Sequence, residues 1–168
     1  MHVDLEETLR ELAPGLIRYC TARTRDPNLG EEVAQESLVA LVQRWKRWGA
    51  PGCPQAFVFA VARRRATRAI LSRRLSLPLQ LLAGRRDHAP DPETAAVDKS
   101  GYTTMKRALE RLPASDREAL LVVAVGGLKT PEAARVLGIS ESALKMRTLR
   151  ARQRLHLLME DGHEPSRR

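Results

Sequence analysis

The sequence predicts an all-α protein of two small helical domains joined by a flexible linker. Aromatic residues make up only 4% of the 168-residue chain, and β-branched runs are sparse beside the many Ala and Leu, a composition of helices rather than strands. Apolar residues recur at three- and four-residue spacing through most of 5–74 and again in the last third, as core-facing helices require. Between these stretches Pro78, Gly84, Pro90, Pro92 and Gly101 interrupt a charged segment, which reads as linker with at most a short helical piece at 79–82. The expected division is therefore a first domain over 1–75, a linker over 76–105, a second domain over 106–160 and a tail over 161–168.

Taken in order, Asp4 with Glu7 three residues on suits a first helix start, and Leu5, Leu9 and Leu12 share a face. Pro14-Gly15 is expected to break or restart that helix, after which Leu16, Ile17 and Cys20 continue it to about Asp26. Asn28 with Glu31 is a second capping pattern, ahead of Ala34, Leu38, Leu41, Val42 and Trp45. Two Gly and two Pro within 48–54 make a loop. A third helix follows from about Gln55 to Arg74, with Phe57, Val58, Val61, Ala62, Ala69 and Ile70 toward the core and Arg64, Arg65 and Arg68 gathered opposite. In the last third, Met105, Ala108, Leu109 and Leu112 form a short helix stopped by Pro113. Ser115-Asp116-Arg117-Glu118 reads as a capping box for a helix reaching Val125, closed by Gly126-Gly127. Thr130-Pro131-Glu132 starts the next, which ends at Leu137-Gly138, and Ser140 caps a final helix to about Met159.

Charge is distributed unevenly. The net charge is +9, yet residues 1–36 hold eight acids against four bases, and residues 37–86 hold eleven bases and no acid. Solubility is served by mixed charge, so fifty residues without a carboxylate point to a polyanionic partner, and nucleic acid is favoured over a membrane surface because no amphipathic anchor stands out.

The segment Thr130–Leu149 has the spacing of a helix-turn-helix. Ala134 permits close helix approach, Gly138 suits the turn, and Ile139 and Leu144 plug the space between. Burying Leu144, Ala151, Leu155 and Leu158 leaves Lys145, Met146, Leu149 and Arg150 outward, flanked by Arg147, Arg152 and Arg154. Such a helix can enter a major groove, with flanking Arg on phosphates. The plainer reading is a solvated basic helix at the end of a bundle.

At this point the chain resembles the extracytoplasmic-function group of bacterial RNA polymerase sigma factors, of the sigma-70 family. In the C-terminal part, Ala108-Leu109-Glu110-Arg111-Leu112-Pro113, Asp116-Arg117-Glu118, Glu132-Ala133-Ala134, Leu137-Gly138-Ile139-Ser140 and Leu144-Lys145 with Arg147, Arg150, Ala151 and Arg152 are similar to region 4. In the N-terminal part, Gly30-Glu31-Glu32-Val33-Ala34-Gln35-Glu36 resembles the acidic segment that docks on the polymerase clamp, and residues 57–63 resemble the start of the region 2.3–2.4 helix. The resemblance implies a promoter-specificity subunit with core RNA polymerase (clamp and flap) and promoter DNA as partners, room for an anti-sigma factor, a cytoplasmic location, and no membrane contact of its own. It implies core docking by Glu31, Glu32, Gln35 and Glu36, minus-ten contacts by Trp48, Arg63, Arg64, Arg65 and Arg68, and minus-thirty-five contacts by Lys145, Met146, Leu149 and Arg150 with Arg147, Arg152 and Arg154. Ala143 and Met146 stand where the family has Thr and a small polar residue, which implies a promoter preference of its own.

Other classes find little support. His2, His88, His156 and His163 lack metal-ligand spacing, and no nucleophile–base set or Gly-rich phosphate loop is present; no catalytic residue, metal or cofactor is expected. No apolar run reaches the ~18 residues of a membrane helix, and the N-terminus lacks the basic start and apolar run of a secretory signal. Cys20 reads as a small core residue, whereas redox reactivity of Cys53 stays open. Trp45 and Trp48 flank the loop, and both a core role and base stacking are open to them. The alternative function is a stand-alone helix-turn-helix regulator with an N-terminal sensing or dimerising module.

Overall fold

The computed structural model describes residues 4–82 and 99–161, in which seven α-helices and no strand occur. Helix α1 (Leu5–Thr24) starts where Asp4 accepts a hydrogen bond from the Glu6 N–H at 3.4 Å. It runs through Pro14 without a break, against the expectation of a restart there. An interior proline costs roughly 3 kcal/mol. Leu16, Tyr19 and Cys20 on the same helix are fully buried, and each such side chain returns about 1.5–3 kcal/mol, so packing wins. The helix ends at Arg25, whose φ of 61° is left-handed and whose N–H donates to Thr21 O at 2.9 Å.

Helix α2 (Pro27–Trp48) is capped by Asp26, not Asn28: the Asp26 carboxylate accepts from the Leu29 N–H at 2.9 Å. Pro27 decides this, because its fixed φ and missing N–H suit the first helical position and place the cap one residue before it. The Leu29 N–H, and after it Arg73, hold the Asp26 carboxyl below its ordinary range. Where α1 and α2 cross, Gly30 has no room for a side chain, since a Cβ would lie 2.5 Å from Thr21 Cα.

Helix α3 (Pro54–Leu82) and helix α4 (Lys99–Arg111) both run into the segment read as linker. Leu and Gln around Pro78 are good helix formers, and Gly101 sits in the first turn of α4, where backbone N–H groups lack helical partners anyway. The remainder of that segment, 83–98, and the tail beyond 161 lie outside the described residues.

The capping box read at Ser115 does not form. Helix α5 (Ala114–Leu120) starts earlier, after Pro113, with no side-chain cap. Its acids are engaged elsewhere: Asp116 pairs with Arg154 at 2.9 Å and Glu118 with Arg23 at 2.9 Å. The helix continues into a π-helical turn, Leu121–Val125, closed by the Gly126 N–H on Leu121 O at 3.0 Å. Helices α6 (Thr130–Leu137) and α7 (Glu141–Asp161) complete the chain.

One apolar core runs through both halves. Val58, Phe59, Ala62 and Ala66 of α3 are buried with Leu16, Tyr19 and Cys20 of α1 and Ala119, Leu121 and Val122 of the C-terminal half. Phe59 and Ala66, absent from the expected core face, belong to it, while Phe57, Ala69 and Ile70 are only partly buried. The Phe59 ring lies 5.1 Å from that of Tyr19 at 58°. Gly126 also approaches it closely: a Cβ there would lie 2.9 Å from Phe59 Cε1. The Gln55 side-chain amide donates to Gly126 O across the same seam. A smaller cluster, Leu112, Leu120 and Ala151, ties α4 and α5 to α7.

Gly30→Ala is expected to lower stability by about 2–3 kcal/mol, because the methyl meets backbone that cannot give way. Gly52→Ala, in open space, should change it by less than ~0.5 kcal/mol. Urea denaturation of the two variants measures the contrast; equal midpoints would remove the steric account of the α1–α2 crossing.

Candidate nucleic-acid interface

The α6–α7 pair forms a helix-turn-helix whose turn follows from local chemistry. The Lys129 N–H donates to the Glu132 carboxylate at 3.2 Å, half of a capping box. Gly138 takes φ 68°, and its N–H and that of Ile139 donate to Arg135 O and Ala134 O at 3.2 and 3.1 Å, which closes α6. Ser140 then caps α7, its hydroxyl accepting from the Ala143 N–H at 3.2 Å. Leu144, Thr148 and Ala151 face inward, with the Thr148 hydroxyl donating to Leu144 O.

This leaves Lys145, Met146, Leu149, Arg150 and Arg152 exposed on one continuous side of α7, with Arg147 half-buried. Met146 and Leu149 are 54% and 49% exposed. Two large apolar side chains so open on a basic helix suit contact with base edges and thymine methyls rather than solvent. A groove between α7 and the start of α6, lined by Thr130, Lys145, Leu149 and Arg152, continues this face. Arg154 is different: it pairs with the buried Asp116 and fastens α7 to α5.

Among the arginines of α3, Arg63 points away from the side that carries Arg64, Arg65 and Arg68. Arg64 and Arg68 are exposed. Arg65 pairs with Glu36 of α2, and with Arg68 it lines a groove that also contains Glu32 and Glu36. Arg63 turns toward α5, where its Nε lies 3.1 Å from Glu118 Oε1. Glu31, Glu32, Gln35 and Glu36 all stand exposed on α2, with the Gln35 amide donating to Glu31 at 3.3 Å.

Trp48, at the end of α2, is 63% exposed, whereas Trp45 packs on the core. Two guanidiniums lie against the Trp48 ring, Arg47 at 4.5 Å and Arg44 at 5.4 Å. Arg44 also donates to Gly49 O at 2.9 Å, which holds the chain at the loop entrance. An indole braced by two cations is a surface on which a base can stack, with phosphate-neutralising charge beside it. The reading of the sequence missed Arg44 and Arg47; their places four before and next to Trp48 were the available signal.

The thiols differ in setting. Burial pushes the Cys20 thiol up to about 12 and leaves it a core residue. Cys53 lies at the loop facing α6; partial burial raises it, the Ala56 N–H offsets this in part, and the Glu132 carboxylate reinforces it. Neither has the lowered pKa of a reactive thiolate. Among the described residues no three His, Cys, Asp or Glu gather to hold a metal, and no helix is long and apolar enough to cross a membrane.

Comparison with known proteins adds two family matches, Sigma-70 region 2 over residues 8–75 and Sigma-70, region 4 over residues 103–155. The chain is 32% identical over 158 residues to the ECF RNA polymerase sigma factor SigD of Mycobacterium tuberculosis, covering 90% of this chain and 74% of the relative. It is 32% identical over 165 residues to the ECF RNA polymerase sigma factor ShbA of Streptomyces griseus, covering 92% and 86%. Among solved structures, its fold is similar to the sigma factor RpoE of Bartonella quintana, solved in complex with the anti-sigma factor NepR, with a TM-score of 0.72, 21% identity and coverage of 92% and 96%. It is also similar to CnrH in complex with the cytosolic domain of CnrY, with a TM-score of 0.64, 20% identity and coverage of 94% and 88%.

Arg154→Ala is expected to lower stability by about 1–2 kcal/mol, because it leaves the buried Asp116 carboxylate without its charged partner. Arg152→Ala, on the exposed side, should stay within ~0.5 kcal/mol. Thermal or urea unfolding of both variants distinguishes the fastening arginine from the free one.

Proposed function

We infer that this chain, which belongs to the extracytoplasmic-function group of the sigma-70 family, binds core RNA polymerase and directs it to specific promoters. The observation that carries this reading is the pairing, on one chain, of region 2 and region 4 in order, with an open basic and apolar face on the second helix of a helix-turn-helix. A stand-alone regulator is not favoured, because the N-terminal helices match region 2 rather than a sensing module.

The division of labour follows the charge map. The exposed acids of α2, Glu31, Glu32 and Glu36 with Gln35, offer a negative surface to basic elements of the polymerase clamp. Trp48, braced by Arg44 and Arg47, receives a base that leaves the stack in the minus-ten region, and its stacking offsets part of the unstacking cost. Arg64, Arg65, Arg68 and, once released, Arg63 follow the backbone of the melted strand. On α7, Lys145 and Arg150 read base edges of the minus-thirty-five duplex, Met146 and Leu149 add apolar contact, and Arg147 and Arg152 add phosphate affinity. Arg154 contributes phosphate affinity only beyond its tie to Asp116. The protein performs no covalent chemistry in this scheme; binding and strand capture are its work, carried out beside the polymerase in the cytoplasm. An anti-sigma factor, the partner with which RpoE was solved, is a partner of the class open to it.

In vitro transcription with core polymerase and a promoter library tests the reading: specific transcripts are expected only when the chain is added, and a chain that binds a palindromic duplex unaided but starts no transcript overturns it. Glu32→Lys should weaken association with core polymerase while leaving the unfolding midpoint in place, because Glu32 is exposed. Unchanged core affinity would move the docking surface elsewhere.

A second contrast concerns α7. Arg150→Ala should cost about 1–3 kcal/mol at the preferred minus-thirty-five sequence and relax the preference there. Arg152→Ala should weaken all sequences alike. Holoenzyme binding to randomised duplexes separates the two, and a uniform loss for Arg150→Ala would make it a phosphate contact.

A further inference from the structure

The outward side of α7 is not uniformly basic. Ser142, Met146, Leu149 and Gln153 recur at four-, three- and four-residue spacing, all exposed, and form one stripe along the helix. Leu144, Thr148 and Ala151 are buried on the side away from it. Charge lies to either hand of the stripe. Lys145 and Arg152 border it on one side, where with Leu149 they wall the groove of about 310 Å³ that leads to Thr130 of α6. Arg150 borders it on the other, in a row with Arg147 and Arg154. None of the four residues of the stripe is charged, and the middle two are a thioether and a branched alkyl chain.

That order matters in a major groove. A helix lying there turns its middle toward the base edges and its flanks toward the two sugar–phosphate backbones. Cations on the flanks set register and affinity. The middle reads sequence, and its chemistry decides what it can read. Met146 and Leu149 bring no hydrogen bond of useful strength, so they are blind to the difference between the O4 of thymine and the N4 amino group of cytosine. The apolar feature that a base edge presents in the major groove is the C5 methyl group. One exposed apolar side chain needs no explanation. Two together, 54% and 49% exposed in the middle of a basic face, are unfavourable in water, and contact with methyl groups relieves that.

We propose that Met146 and Leu149 are a reader of pyrimidine C5 methyl groups, which favours thymine over uracil and 5-methylcytosine over cytosine in the minus-thirty-five duplex. The proposal rests on the function given above and deepens it: the ligand of this stripe is a methylated base, and methylation of a cytosine facing it raises promoter occupancy without changing the base pair. Loss of one buried methyl contact lowers affinity about fourfold, which corresponds to ~0.8 kcal/mol. Lys145 and Arg150 still choose the base pair by hydrogen bonds. The methyl reader acts beside them and adds a distinction that hydrogen bonds cannot make, because methylation leaves every donor and acceptor in place.

Holoenzyme binding to minus-thirty-five duplexes tests the reader. In the preferred duplex each thymine is replaced in turn by uracil, an exchange that removes one methyl and keeps the pairing. Binding should weaken about fourfold at one or two neighbouring positions. A cytosine placed at those positions should gain a similar factor on 5-methylation. Leu149→Ala should abolish the dependence at one position and Met146→Ala at its neighbour, whereas Leu149→Met should keep it. Arg152→Ala should weaken methylated and unmethylated duplexes alike. Both apolar residues are exposed, so these variants keep the fold. Equal binding of thymine and uracil forms at every position, or a methyl dependence that survives in the Met146→Ala, Leu149→Ala double variant, overturns the proposal. Affinity is scored without transcription. Methyl dependence in a holoenzyme that starts no promoter-specific transcript therefore counts against the proposed function alone, and specific transcripts from methyl-blind binding count against the reader alone.

Discussion

Helix α3 has to bury apolar residues on more than one side, and the rest of the structure is arranged around that requirement. Val58 and Ala62 are covered by the first two helices, as an amphipathic reading expects. Phe59 is buried with them and is the residue of α3 that the C-terminal half approaches through Gly126. The Tyr19 ring packs against it at 5.1 Å, and a Cβ on Gly126 would lie 2.9 Å from its Cε1. Gly126 is needed there for close approach rather than for an unusual backbone angle, since its φ is −74°. The contact fixes where α5 and the π-helical turn lie, and through them where α6 and α7 stand.

The same packing explains why α1 survives its proline. Leu16, Tyr19 and Cys20 lie beyond Pro14 and face the shared core, so a break there would forfeit several buried side chains to spare one hydrogen bond. It also explains the loss of the expected cap at Ser115. A capping interaction is worth about 1 kcal/mol, less than a partly buried carboxylate gains from two guanidiniums at hydrogen-bonding distance. Glu118 therefore serves the seam, Asp116 serves α7, and the helix begins without a side-chain cap.

Charge is sorted by the same logic. Acids that could neutralise the basic surface are drawn inward or sideways: Asp26 to Arg73, Glu36 to Arg65, Asp116 to Arg154, Glu118 to Arg23 and Arg63. Each pairing removes an arginine from the free set as well, so a net charge of +9 is not spread evenly. What stays open is the side of α7 bearing Lys145, Arg150 and Arg152, the exposed Arg64 and Arg68, and Trp48 between Arg44 and Arg47. The acidic row on α2 lies exposed on the first half of the chain and presents the opposite sign.

Much of this was legible in the sequence because it depends on near neighbours along the chain. Helical class, the Asp4 and Ser140 caps, the turn at Gly138 and the outward set on α7 are decided within four or five residues, and local hydrogen bonding and periodicity suffice to read them. The family resemblance likewise rested on contiguous motifs at both ends. The tertiary structure alone decided the rest, because the partners lie far apart in the chain. Residue 118 meets residues 19, 23 and 63, residue 59 meets residue 126, and no local spacing announces either. Nor could the sequence tell free arginines from engaged ones: Arg63, Arg64 and Arg65 are adjacent and chemically identical, and only the elements packed against α3 assign one to Glu118, leave one exposed and give one to Glu36. Sequence sets the number of charges; packing decides which of them are still available to bind.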